Sequence, residues 1–190
     1  MADQKERVMY LDVDDTLLVW TSEHRGHPAP RAYEFVQWAL EHFEVRWLTM
    51  WCPAGWMEPQ RAAELSRLFD LRWSAEEIMA VKNPKQFVDW KTEAVDFDDP
   101  RPWVWVEDAV HEYEKLHLQK RGMYDRFYKT NVSHNRVMLQ VTWNRLAEKF
   151  DLPKTLYPYT TDMHVPDALK QDDLKVNAMI QNLYNSNVIK

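Results

Sequence analysis

The apolar run Val8-Met9-Tyr10-Leu11 is followed at once by Asp12-Val13-Asp14-Asp15-Thr16, and then by Leu17-Leu18. Such a run suits a short buried strand, and the polar residues begin where that strand should end. In an open α/β sheet the carboxyl ends of the strands face the crevice that takes ligands, so Asp12 and Asp14 are expected to point into a site. Two carboxylates there suit phosphoryl chemistry. One can attack phosphorus and carry an aspartyl-phosphate, while the other protonates the leaving oxygen and then activates water. Like charges this close call for a cation, and Mg²⁺ bound by carboxylates together with substrate phosphate is the expected one. The same residue types also serve turns and helix caps, so a solvated exit turn is the competing reading of this motif taken alone.

The elements that must position these groups alternate along the chain. Residues 21–30 read as a loop, and 31–43 as a helix with Val36, Ala39, Leu40 and Phe43 at helical spacing. Val45-Arg46-Trp47-Leu48-Thr49 reads as a strand, 59–69 as a helix with Ala62, Leu65 and Leu68 on one face, and Ser74-x-x-Glu77 as a capping box. Pro84 is expected to open a short helical piece towards Lys91. Pro102-Trp103-Val104-Trp105-Val106 is apolar throughout and ends in Glu107-Asp108, as in a parallel strand buried on both faces. Residues 109–121 suit an amphipathic helix, 126–130 a strand, and 135–150 a helix with Met138, Val141 and Phe150 inward. The alternation predicts an α/β fold of three layers, Rossmann-like, with a mostly parallel sheet and helices on both faces. Residues 1–150 form the expected core. Residues 151–190 form an extension whose stripe of Leu169, Val176, Ile180 and Leu183 is expected to pack on the core or a partner.

Composition narrows the function classes. A chain of 190 residues suits one ordinary domain, and the single Cys52 excludes an intramolecular disulfide framework. The polar start Met1-Ala2-Asp3-Gln4-Lys5-Glu6 reads neither as a secretory signal nor as a lipidation site, so a cytoplasmic protein without a membrane segment is expected. A formal charge of -6 argues against a broad electrostatic grip on nucleic acid, leaving only local basic residues near Lys82, Lys85 and Lys91. Three glycines, Gly26, Gly55 and Gly122, cannot build a Gly-rich phosphate loop.

The order of polar residues at the strand ends resembles the haloacid dehalogenase-like superfamily of phosphohydrolases, capless type. Asp12-Val13-Asp14-Asp15-Thr16 matches its first motif, an apolar strand followed by Asp-x-Asp-x-Thr, and Thr49 matches its second. Lys91 matches the third more loosely, and Glu107-Asp108 resembles the fourth, an acidic pair ending an apolar strand. The resemblance implies Asp12 as nucleophile, Asp14 as general acid and then base, Thr49 as a hydroxyl donor to a phosphoryl oxygen, and Lys91 as the cation neutralising the transferring group. It also implies Mg²⁺ held by Asp12, the backbone carbonyl of Asp14 and Asp108, with Glu107 binding the metal's waters or orienting Lys91. Many relatives carry Asp where this chain has Glu107, so the choice of direct ligand between Glu107 and Asp108 stays open. Lys82 and Lys85 lie in the same connection as Lys91 and compete for its role.

Other residues invite functions that their spacing does not support. His24 and His27 with Glu23 lack zinc-site spacing, and His111 and His117 suit solvated or structural positions. Cys52 has no visible histidine partner and reads as an inert thiol. Ten tryptophans, Trp47, Trp51, Trp56, Trp103 and Trp105 among them, would support base stacking, but those in strands suit the core better.

Little beyond a loop and one helix fits between Thr16 and Val45, and about forty residues separate Thr49 from Lys91, so neither stretch accommodates a folded cap. An open site admits bulky substrates. The wording around Trp47 to Trp51 and Arg101 to Asp108 resembles a capless branch that includes phosphatase-like domains found with nucleic-acid repair enzymes. The leading expectation is a Mg²⁺-dependent phosphatase of a nucleotide, a nucleic-acid end or another exposed phosphomonoester. A phosphatase of small metabolites or phosphoproteins, and a non-catalytic binding module on the same fold, are the alternatives. The extension at 151–190 or a second subunit of a homodimer could cover this open site.

Overall fold

The computed structural model describes residues 5–21, 25–82 and 85–155. In chain order the elements are β1 (Val8–Leu11), β2 (Leu18–Trp20), β3 (Gly26–Pro28), α1 (Ala32–His42), β4 (Glu44–Trp47), α2 (Pro59–Leu68) and α3 (Ala75–Ala80). They continue with β5 (Trp103–Glu107), α4 (Glu112–Lys120), β6 (Phe127–Lys129) and α5 (Met138–Phe150). Four strands form one parallel sheet in the order β4-β1-β5-β6. The chain leaves β1 towards β4, then crosses back to place β5 on the other side. The strand order therefore reverses between β1 and β5, the position at which sheets of this kind open a crevice beyond their carboxyl ends.

Side-chain alternation divides the core into two. Met9, Leu11, Val45, Trp47, Val104 and Val106 pack with buried residues of α1, α2, α3 and α5. Val8, Tyr10, Trp103 and Trp105 pack on the opposite side with Leu118 of α4, Phe87, Ala94 and Val95. Helices thus cover both faces, which is why the strands are apolar at successive positions rather than alternate ones. Phe35, Val36 and Ala39 of α1 recur at helical spacing on the buried side, and Phe35 meets Trp143 of α5 at 5.9 Å between ring centroids.

The strand at 45–49 ends earlier than expected, at Trp47, and Thr49 stands just beyond it. The helices expected from 109 and 135 also start later. Before α4, the His111 N–H donates to the Glu114 carboxylate at 3.1 Å, and before α5 the Val137 N–H donates to the Asn135 side chain at 3.2 Å. The first contact closes a capping box that starts α4 at Glu112, and the second holds a turn ahead of α5.

Two expectations fail outright. Residues 21–30 are not simply a loop, because β3 pairs antiparallel with β2 in the register Leu18↔Pro28 and Trp20↔Gly26. A Cβ at position 26 would come within 3.2 Å of the Trp20 ring and of Leu68, so a residue without one suits this place. Pro84 lies outside the described residues, and no helix runs through 85–90; a single 3₁₀ turn, Lys91–Glu93, replaces it. Glu93 draws the Val88 N–H to its carboxylate at 2.9 Å instead.

Asp151, left-handed at φ 52, ends α5, and residues 151–155 fold back on it through the Leu152 N–H to the Ala147 carbonyl and the Thr155 N–H to Asn144. From residue 156 the extension, with Leu169, Val176, Ile180 and Leu183, lies outside the described residues. Among the described residues no helix is long and apolar enough to cross a membrane.

At the amino-terminal end of the sheet, away from Asp12, Glu44 collects Arg46, Lys82 and Arg101, and Asp99 receives Arg46 and Arg101. Burial works to raise the Glu44 carboxyl, but hydrogen bonds from Arg101, Lys82 and Arg46 reverse this and lower it to about 2. Hydrogen bonding from Arg101 likewise lowers Asp99 to about 2.

Candidate active site

Asp12 is the first residue beyond β1, and its N–H still donates to the Val106 carbonyl at 3.1 Å, so the sheet fixes its backbone against β5. Its side chain is buried beside two donors. The Thr16 hydroxyl reaches one carboxylate oxygen at 3.2 Å, and Lys91 Nζ reaches the other at 2.8 Å. Thr16 returns to Asp12 because the chain turns tightly on the Val13 carbonyl, which accepts the N–H groups of Thr16, Leu17 and Leu18. Asp15 makes that turn at φ 54, a left-handed conformation that Asp tolerates better than most residues.

Lys91 enters from the 3₁₀ turn and also meets both oxygens of Glu107 at 2.7 Å. Glu107 ends β5, is buried, and accepts the Trp105 indole N–H at 3.2 Å. Lys91 is therefore the lysine that the fold brings to the acidic groups. Lys82 pairs with Glu44 at 2.8 Å at the far end of the sheet, and Lys85 is exposed.

Burial pushes the Asp12 carboxyl above its usual range, with Lys91 opposing it. Burial and then the Asp12 charge push Glu107 well above its own. For Lys91, burial disfavours the charge, yet the two carboxylates outweigh it and hold the ammonium above the usual lysine value. Asp108, half-buried, is raised first by burial and then by Asp15. One ammonium thus faces several carboxylates that burial leaves short of positive charge.

Asp12, Glu107 and Asp108 each offer a carboxylate oxygen, and these three oxygens lie within 4.8 Å of one another. An all-oxygen donor set of this kind could hold a hard divalent cation. The two candidates for the direct ligand differ in freedom. Glu107 is engaged by Lys91 and Trp105, whereas Asp108 receives the Asn131 side-chain amide at 3.3 Å.

Asp14 projects from the same turn, and its carboxylate accepts the indole N–H of Trp20 at 3.0 Å and that of Trp51 at 3.0 and 3.1 Å to its two oxygens. Thr49 is fully buried. Its neighbour Leu48 donates its N–H to the Leu11 carbonyl at 2.9 Å, which sets Thr49 alongside the start of the Asp12 turn, and the Thr49 hydroxyl accepts the backbone N–H of Trp51 at 3.4 Å.

From sequence alone Thr16, Trp20, Asn131 and Ser133 carry no assigned role, and Trp51 and Trp105 suggest base stacking or core packing rather than contacts to carboxylates. Thr16 was legible within the motif. Asn131 and Ser133 come from the loop after β6, where Ser133 donates to Asp15 and the Val132 N–H donates to the Asp15 carbonyl at 2.7 Å. Their only sequence signal is the polar cluster that follows a strand. Cys52 is buried, and burial raises its thiol to about 11, which suits the inert reading. His111 is exposed, and His117 lies against Phe97 and Arg121. Trp47, Trp103 and Trp105 are core residues, whereas Trp56 is 51 % exposed.

Comparison of the chain with protein-family models, with curated proteins and with solved structures finds no match.

Proposed function

We propose that the chain is a Mg²⁺-dependent phosphomonoester hydrolase that works through an aspartyl-phosphate on Asp12, in line with the resemblance to the capless haloacid dehalogenase-like phosphohydrolases. The observation that carries this reading is the placement of Asp12. It is a buried carboxylate at the switch point of a parallel sheet, 2.8 Å from a lysine, with carboxylate oxygens of two further acids within 4.8 Å.

When bound, Mg²⁺ would supply charge neutralisation for the phosphoryl oxygens, with Asp12, the Asp14 carbonyl and Asp108 as its protein ligands and Glu107 behind them. Asp12 attacks phosphorus along the line of the leaving oxygen, and the bond to that oxygen breaks as the carboxylate–phosphorus bond forms. Asp14 gives a proton to the departing oxygen, then takes one from the water that opens the acyl phosphate. Lys91 and the Thr49 hydroxyl stabilise the charge that develops on the phosphoryl oxygens. Glu107, bound through both oxygens, keeps the Lys91 ammonium against Asp12.

The substrate reading is an exposed phosphomonoester, a nucleotide or nucleic-acid end foremost, because the sequence leaves no room for a folded cap before Lys91. Mg²⁺-dependent release of phosphate from p-nitrophenyl phosphate tests the chemistry. A panel of nucleotides, oligonucleotide ends, sugar phosphates and phosphopeptides then tests the substrate class. No release from any of them would favour a binding module.

A further inference from the structure

Asp14 is held by two tryptophans from separate segments. Trp20 ends β2, and Trp51 lies in the turn after β4; their indole N–H groups converge on one carboxylate at 3.0 to 3.1 Å. The Trp51 turn is itself fixed, because Arg61 of α2 donates one guanidinium nitrogen to the Met50 carbonyl at 3.1 Å and to the Trp51 carbonyl at 2.8 Å. Trp20 is fixed by the ribbon, where it pairs with Gly26 and its ring packs over that residue. These contacts are selective among the described tryptophans. The buried indole nitrogens of Trp38, Trp73, Trp103 and Trp143 find no partner among the described residues, whereas those of Trp20 and Trp51 both reach Asp14.

An indole N–H donates and cannot accept, and it does not titrate. Two of them can set the plane and reach of a carboxylate, whose two oxygens offer about four lone-pair sites and so keep room for a proton. A general acid must meet the leaving oxygen within a narrow distance and angle, so fixing that plane bears on rate rather than on ester binding.

We propose that Trp20 and Trp51 are positioning residues for Asp14, aiming its carboxylate at the leaving-group oxygen. The proposal rests on the phosphohydrolase reading above. It requires that the loss on removing either N–H grow as the leaving group becomes a poorer one, because a nitrophenolate departs with little help and an alkoxide does not.

The test uses the full chain with Mg²⁺ and compares wild type, Trp20→Phe, Trp51→Phe and Asp14→Asn on p-nitrophenyl phosphate, phenyl phosphate and glycerol phosphate. Each Phe variant keeps an aromatic ring and lacks the N–H. The expected result is a fall in kcat of roughly tenfold on glycerol phosphate, a smaller fall on p-nitrophenyl phosphate, and KM within about twofold throughout. Adding either Phe substitution to Asp14→Asn should cost nothing further, since both act through the same carboxylate. Equal losses on all three esters, or a loss that persists on the Asp14→Asn background, would overturn the positioning role while leaving the hydrolase reading in place. A wild-type chain that turns over none of the esters would overturn both. Near-ultraviolet circular dichroism identifies a variant that has not folded, and the two tryptophans, in separate segments, give independent measurements.

Discussion

Lys91 stands 79 residues downstream of Asp12 and yet lies 2.8 Å from its carboxylate, with both oxygens of Glu107 at 2.7 Å on the same ammonium. Asp12 directly follows β1 and Glu107 ends β5, so a single charge ties together the ends of two adjacent strands. The side chains are 3 %, 5 % and 16 % exposed for Asp12, Glu107 and Lys91, which leaves water little part in compensating them.

Removing that charge should therefore affect stability as well as chemistry. Lys91→Ala leaves two buried carboxylates facing each other, and the loss of one partner of a buried pair costs about 3–5 kcal/mol. Urea denaturation should show a lower midpoint with an unchanged slope. A variant as stable as wild type would mean that the three groups are far better solvated than their burial indicates.

The acids that end β5 should separate by metal dependence. Asp108 receives the Asn131 amide and is half-buried, while the buried Glu107 is engaged through both oxygens by Lys91 and also by Trp105. Even residues behind a metal's ligands change affinity by roughly 10–100-fold, so Asp108→Ala should raise the Mg²⁺ concentration for half-maximal activity by at least that factor. Glu107→Gln should lower the rate with a smaller change in Mg²⁺ requirement. Titrations giving the reverse order would exchange the two roles.

Acid should loosen the opposite end of the sheet. Glu44 and Asp99 are lowered to about 2, against ordinary values near 4 in an unfolded chain. Carboxyls lowered on folding contribute stability that is fully present above the unfolded value and lost as pH falls through the folded one. The difference in unfolding free energy between wild type and Glu44→Gln, on the order of 2 kcal/mol near neutrality, should shrink between about pH 4.5 and pH 2. A difference constant over that range would show that Glu44 acts through packing rather than charge.

Much of this arrangement was legible in the chain. The apolar runs before Asp12 and Glu107 mark the two central strands because a doubly covered strand has no polar side, and the acidic residues at their ends are the ones that the fold gathers together. Lys91 was favoured by its order in the chain, and the fold brings it, not Lys82 or Lys85, to Asp12. The β2–β3 ribbon was not legible, since Gly26-His27-Pro28 has neither alternation nor β-branching, and its pairing depends on Trp20 closing over a residue without a side chain. Nor could the indole contacts to Asp14 be read, because a tryptophan two residues past Thr49 looks the same whether its nitrogen meets a carboxylate or nothing.

The most direct measurement is to trap the intermediate. The chain is mixed with Mg²⁺ and a phosphomonoester labelled in its phosphate, quenched in acid within one turnover, and digested. The label should sit on the peptide containing Asp12, be released by hydroxylamine as an acyl phosphate, and be absent from folded Asp12→Asn, which should also fail to turn over the ester. Turnover that leaves no label on Asp12, or that persists in Asp12→Asn, would contradict the account.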